Sequence, residues 1–170
     1  MGHFLVKTMT NVVVGKAADA AKAAVVGATT NMIAKVLGLD DTLVGRVLMV
    51  GLPMMVFAGA EDEGIAGRLF GDSKKKDRKK DKSRKEAEDD YFRVFGDKGH
   101  KMNKAIANAT GAKEEEVDGI MGMFLPTFED AIAEEEVEDA GMLQKMFRSE
   151  ADDAKRKSPS FARMAMKAIF

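Results

Sequence analysis

The chain has 170 residues and contains no Cys, no Trp, one Tyr (Tyr91), two His and three Pro. Without Cys there is no disulfide, no thiolate nucleophile and no Cys-ligated zinc. His3 and His100 cannot form a multi-histidine metal site, and nothing resembles a helical His pair. With one Tyr and no Trp, few aromatic platforms exist on which sugars or bases would stack. The formal net charge is only −1, so no bulk attraction to nucleic acid or anionic lipid is built in. A cysteine-free chain suits a reducing cytoplasm, which is the expected location, with membrane association as the alternative.

Targeting signals and long apolar runs are scarce too. Lys7, Thr8 and Thr10 break the N-terminal apolar stretch, and no signal-peptide cleavage site follows. Gly2 invites a myristoylation reading, but Val6 stands where that motif needs a hydroxyl. The longest uncharged apolar run, Val47 to Ala60, has 14 residues. A helical membrane span takes roughly 20, so this run is read as too short.

What the chain does have is an internal echo. The stretch VGRVLMVGLPMMVFAGA, Val44 to Ala60, is entered through IAKVLGLDDTL, and its pattern returns 73 positions later without a gap. Ile33-Ala34 corresponds to Ile106-Ala107, Gly38 to Gly111 and Val44 to Val117. Val47-Leu48 corresponds to Ile120-Met121, and Leu52-Pro53 to Leu125-Pro126. The expected architecture is all-α: two copies of a helix-turn-helix-like unit, with further N- and C-terminal helices and a basic linker. The expected divisions are an N-terminal helix over 1–29, repeat one over 30–72, linker over 73–90, repeat two over 91–148 and a C-terminal helix over 149–170.

Helical spacing gives the details. Phe4, Leu5, Met9, Val12 and Val13 predict a helix over Phe4–Ala28, its second half dominated by Ala. Packing against another helix is its plainer role, and insertion at a membrane surface the sharper one. Thr29 or Thr30 is expected to cap a second helix, Asn31–Leu37, closed by Gly38, with Leu39 folding back. Asp40 or Asp41 caps the next, whose stripe is Val44, Val47, Leu48, Gly51, Leu52 and Met55. Pro53 either kinks that helix or opens a new one. Glu61 to Gly64 close the unit, and Ile65–Asp72 forms a short apolar appendix. In copy two, Glu114, Glu115 and Glu116 crowd a first turn where the helix dipole favours acids. The stripe Val117, Ile120, Met121, Phe124, Leu125 and Phe128 follows, then Pro126 and an acidic belt from Glu129 to Asp139. Ser158 or Ser160 would cap a last helix carrying Phe161, Met164, Ala165 and Ile169.

Gly38, Gly111, Pro53 and Pro126 are therefore read as structural turns. Met54, Phe57, Phe124 and Phe128 are read as an interaction face, since 13 Met in the chain favour adaptable apolar surfaces. The basic run Lys74, Lys75, Lys76, Arg78, Lys79, Lys80, Lys82, Arg84 and Lys85 is a candidate polyanion contact. Its bland alternative is a solvated tether lying against the acidic belt. The helix-turn-helix offsets (Ala34, Gly38, Val44 and Ala107, Gly111, Val117) also raise DNA binding. The faces that would enter a major groove speak against it. They offer Asp41, Thr42, Leu43, Gly45 and Arg46 in copy one, and Glu115, Glu116 and Asp118 in copy two. The carboxylates lack the alternation of a calcium loop and the convergence of an acid/base pair. They are read as solubilising, and no metal or cofactor is expected.

The stretch FRVFGDKGHKMNKAIANATGAKEEEVDGIMGMFLPTFEDAI resembles the tandem helical units of the YidB-like family, bacterial proteins of unknown function. The resemblance rests on Phe95-Gly96, Thr110-Gly111, Val117, Ile120, Met121 and Pro126, with Leu37-Gly38, Val44, Val47, Leu48 and Pro53 in copy one. It covers residues 30 to 130 and implies an all-helical fold and a bacterial source. It brings no catalytic residues with it. The expected role is non-enzymatic: an interaction or structural protein acting through apolar helical faces, by self-association or with a protein partner. A peripheral membrane protein is the alternative, and weak nucleic-acid binding through the basic run a third reading.

Overall fold

The computed structural model describes residues 20–75 and 82–157, with positions 163, 164, 167 and 169 near the C-terminus. The protein is all-α, with six helices and no strand among the described residues. They are α1 (Ala20–Leu37), α2 (Asp41–Glu61), α3 (Glu63–Ser73), α4 (Arg84–Thr110), α5 (Glu114–Glu134) and α6 (Ala140–Lys157).

Everything is arranged around α2. Asp40 caps it by accepting from the Thr42 N–H at 2.7 Å, and every residue from Val50 to Ala60 is buried. A helix apolar on all sides needs neighbours on all sides. α1, α3, α4, α5 and α6 supply them. Gly51 and Gly59 lie where two of those neighbours come closest. A Cβ on Gly51 would meet the Met121 sulfur at 2.5 Å, and one on Gly59 the Phe147 ring at 2.5 Å.

The two interhelical turns close as their residues demand. Gly38 (φ +67°) and Gly111 (φ +79°) both take the left-handed conformation that ends a helix. Leu39 N–H then donates to Ala34 O at 2.8 Å, and Gly111 N–H to Ala107 O at 2.9 Å. A Cβ at either glycine would meet nothing within 4 Å, so backbone torsion alone requires the glycine. Gly38→Val and Gly111→Val should therefore each cost about 1–2 kcal/mol, since a β-branched residue fits that region poorly. Thermal melts unchanged from wild type would show that these glycines are not helix stops.

Several boundaries differ from the sequence reading. α1 runs unbroken through Thr29 and Thr30, both half-buried, so neither caps a separate helix. The earlier part of the expected N-terminal helix lies outside the described residues. Pro53 and Pro126 are not turns: each sits inside a 21-residue helix that continues past it. A mid-helix Pro forfeits one backbone bond, and burial of the surrounding apolar residues outweighs that loss. α4 starts at Arg84, inside the stretch read as linker. Ser83 Oγ accepts from the Glu86 N–H at 3.2 Å, while Ala87 and Tyr91 are already core residues. α6 likewise crosses the boundary drawn at 148/149, because Phe147, Glu150 and Ala151 share one buried face. The expected cap at Ser158 or Ser160 lies outside the described residues.

The helix α4 is two rods joined at Gly96, whose φ of 59° and ψ of −144° are not helical. Here the Phe95-Gly96 dipeptide does make a bend.

Candidate functional site

The four residues read as an interaction face are consumed by this chain's own core. Met54, Phe124 and Phe128 are fully buried and Phe57 nearly so. Met54 and Phe57 sit in the stretch of α2 that is buried on every side, and Phe124 and Phe128 lie on the buried face of α5, Phe128 against Phe147. Helix α2 is longer than the 14-residue apolar run within it. Its 21 residues, with a mean hydropathy of 1.8 in the best window, are long and apolar enough to cross a membrane. That window is 78% buried inside the protein.

Basic residues at the ends of the Lys-rich run are engaged at home. Lys75 pairs with Asp72 at 3.2 Å, Lys82 with Asp90, and Arg84 with Glu88 at 3.0 Å. Arg84 also donates to Glu115 O at 2.8 Å, and the Lys74 ammonium lies over the Phe70 ring. Lys85 is exposed, and Lys76, Arg78, Lys79 and Lys80 lie outside the described residues. The acids that answer these ends belong to α3 and α4, not to the expected belt. Glu129, the first residue of that belt, is itself buried. Proximity in sequence decides this, since Asp72 and Asp90 stand within eight residues of their lysines.

Burial pushes the Asp72 carboxyl up, but hydrogen bonds and charge from Arg93 and Lys75 outweigh it and hold it below its ordinary range. Arg93 is raised, first by the hydrogen bond to Asp72, against burial, and further by the charges of Asp72, Asp90 and Glu129.

A second polar constellation spans the α4 bend. Tyr91 O–H donates to Asn103 Oδ1 at 2.8 Å, and Asn103 Nδ2 donates to Asp118 Oδ1 at 2.8 Å. Phe92 and His100 stack across the same bend, centroids 3.9 Å apart. Burial, with a smaller push from the Asp118 charge, raises the Tyr91 hydroxyl far above its usual range. It remains a neutral donor. Burial also pushes Asp118 up, aided by Glu88 and Glu114 and opposed by the Asn103 hydrogen bond and by His100. With its folded pKa above the unfolded one, protonation of Asp118 contributes stability that is complete below roughly pH 4. That stability is lost as pH rises through the folded value. Asp118→Asn should thus be more stable than wild type at pH 7, and the advantage should vanish near pH 3.5. Melts at the two pH values check this; an advantage that persists in acid would refute the assignment. Sequence reasoning missed this network, although its signal was there: Asn103 is a polar residue one turn from Ile106 on the core face of α4.

No group of three or more acidic or His side chains suited to a metal ion occurs among the described residues. What stands out on the surface is apolar. Met32 (50% exposed) and Val36 (58%) lie one turn apart on α1, with exposed Asn31 and Lys35 beside them. No cue in the sequence marks either, because the helical stripe of α1 points through Ile33 and Ala34 to the core. Compared with family models, with curated proteins and with solved structures, the chain matches none.

Proposed function

We propose that the protein is a non-enzymatic helical interaction module that self-associates, or binds another protein, through the outer face of α1. The observation that carries this is the pair Met32 and Val36, large apolar side chains half or more exposed one helical turn apart. The apolar residues of α2 and α5 are taken up by the core.

The reading includes a duplicated helix-turn-helix unit. α2 and α5 have the same length, 21 residues, and start at Asp41 and Glu114, the sequence offset of 73. The helices before them end at Leu37 and Thr110, again 73 apart, each followed by a left-handed glycine. The resemblance to the YidB-like family is part of the same reading. Sedimentation velocity on the intact protein tests the assembly. A concentration-dependent species larger than a monomer is expected, and Met32→Lys with Val36→Lys should restore the monomer without lowering the melting temperature. A wild-type protein that stays monomeric and is unaffected by the double change would defeat self-association.

The second reading, a membrane-associated protein, draws on the length and hydropathy of α2, although 78% of its apolar window is buried in the protein and would have to be released first. At 1.5 Å per residue its 21 residues are about 31 Å long, close to a bilayer's hydrocarbon thickness. Co-sedimentation with phosphatidylglycerol vesicles separates the two, since only membrane binding should survive the Lys pair on α1. A cytoplasmic location accompanies the first reading and membrane association the second. Nucleic-acid binding through the basic run loses ground, because Lys75, Lys82 and Arg84 already have carboxylate partners.

A further inference from the structure

α3 has 11 residues, too few for a helix to persist on its own in water. It lies against α2, α4, α5 and α6 and seats Ile65, Ala66 and Leu69 on the core. Two polar ties fix it to consecutive residues of α4. Arg68 Nε donates to Val94 O at 2.8 Å, and Arg93 Nη2 donates to Asp72 Oδ2 at 2.6 Å.

The second tie belongs to a longer chain of alternating charge. Lys75 reaches Asp72 at 3.2 Å, Arg93 reaches Asp72 and also Asp90 at 3.8 Å, and Lys82 reaches Asp90. The chain is graded in exposure at its Asp72 end, whereas Lys82 and Asp90 at the other end are 21% and 29% exposed. The Asp72 side chain is 10% exposed, whereas those of Arg93 and Lys75 are 48% and 64% exposed.

We propose that α3 is a latched lid over the core, held shut by the chain Lys75–Asp72–Arg93–Asp90–Lys82 and released when dissolved ions compete for it. Salt reaches the wet cations Lys75 and Arg93 and screens their pull on Asp72. It does not reach the carboxylate beneath them in the same measure. A buried carboxylate whose counter-charges are screened is costly, and lifting the last turn of α3 into water relieves that cost. The ties on either side then decide how far the helix lifts: Asp62, capping α3 through Ile65 N–H at 3.1 Å, keeps its first turn attached. Opening uncovers Leu69 together with the surface beneath it, so ionic conditions would control access to an apolar patch separate from the outer face of α1. The inference is independent of whether α1 mediates association.

Hydrogen exchange on the intact protein at low and high sodium chloride tests it. Amides of residues 69–73 should exchange about fivefold faster at high salt, the factor equivalent to the ~1 kcal/mol of an exposed ion-pair network, while the Ile65 amide, held by Asp62, should not. Amides of α2 and α5 should not change. Arg93→Gln should show the faster exchange at both salt levels, and Arg93→Lys should recover part of the protection at low salt. Should Arg93→Gln not fold, Lys75→Gln, at an exposed cation, should reduce the salt response of the same amides. An unchanged salt response in these variants, or acceleration of α2 and α5 along with α3, would overturn the latch.

Discussion

Replacing Gly122 by Ala is expected to destabilise the protein by about 2 kcal/mol, although Gly→Ala in an ordinary helix interior gains roughly 0.5–1 kcal/mol. A Cβ at Gly122 would lie 2.9 Å from Ala87 C, Ala87 O and Glu88 N. Those are backbone atoms of α4, which no rotamer change can move aside. The N-terminal rod of α4 would have to shift as a body. It carries Tyr91, which is locked to Asn103, and Arg93, which is locked to Asp72, so the displacement spreads to both polar networks. Gly45 is the control: a Cβ there meets nothing within 4 Å, and Gly45→Ala in α2 should stabilise slightly. Denaturant melts in which the two variants behave alike would show that α4 and α5 do not approach as closely as this.

The difference between those two glycines also marks where reading the sequence stops. Gly38 and Gly111 could be assigned as helix ends because each follows an apolar stripe and precedes the acidic start of another helix, a local pattern with a local cause. The helical class and a cap at Asp40 or Asp41 are legible for the same reason, and Asp40 is the one that caps. Gly122 offers no such cue; its role is set by Ala87, 35 residues earlier, and appears only when α4 crosses α5. The interaction face failed similarly. Phe124 and Phe128 form an apolar stripe in sequence whatever covers them, and the stripe does not say whether the cover is a partner or the same chain. Stacking of Phe128 on Phe147, 6.0 Å between centroids, supplies the answer for that side chain. The basic run was legible as charge but not as pairing. Asp72 and Asp90 are unremarkable acids in sequence until the end of α3 and the start of α4 bring them to Arg93.

The largest effect is expected at Phe147. Its ring is fully buried, stacks on Phe128 at an interplanar angle of 12° and occupies the place where a Cβ on Gly59 would lie. It is the contact that seats α6 on α2, with Gln144 and Arg148 on either side donating to Ala60 O at 3.1 and 3.2 Å. Phe147→Ala should cost about 3–5 kcal/mol, the transfer energy of the ring plus the cavity it leaves. The site also permits a sharper check. Gly59→Ala alone should destabilise, because the new methyl meets the ring at 2.5–2.7 Å. In the Phe147→Ala background that methyl enters the vacated space and no longer clashes. The double variant should therefore be more stable than the sum of the single losses predicts, by a coupling of about 1–3 kcal/mol. Equilibrium unfolding of the four proteins measures that coupling directly. Additive losses would mean that Phe147 and Gly59 do not share one space, and that α6 is held on α2 by its polar ties instead.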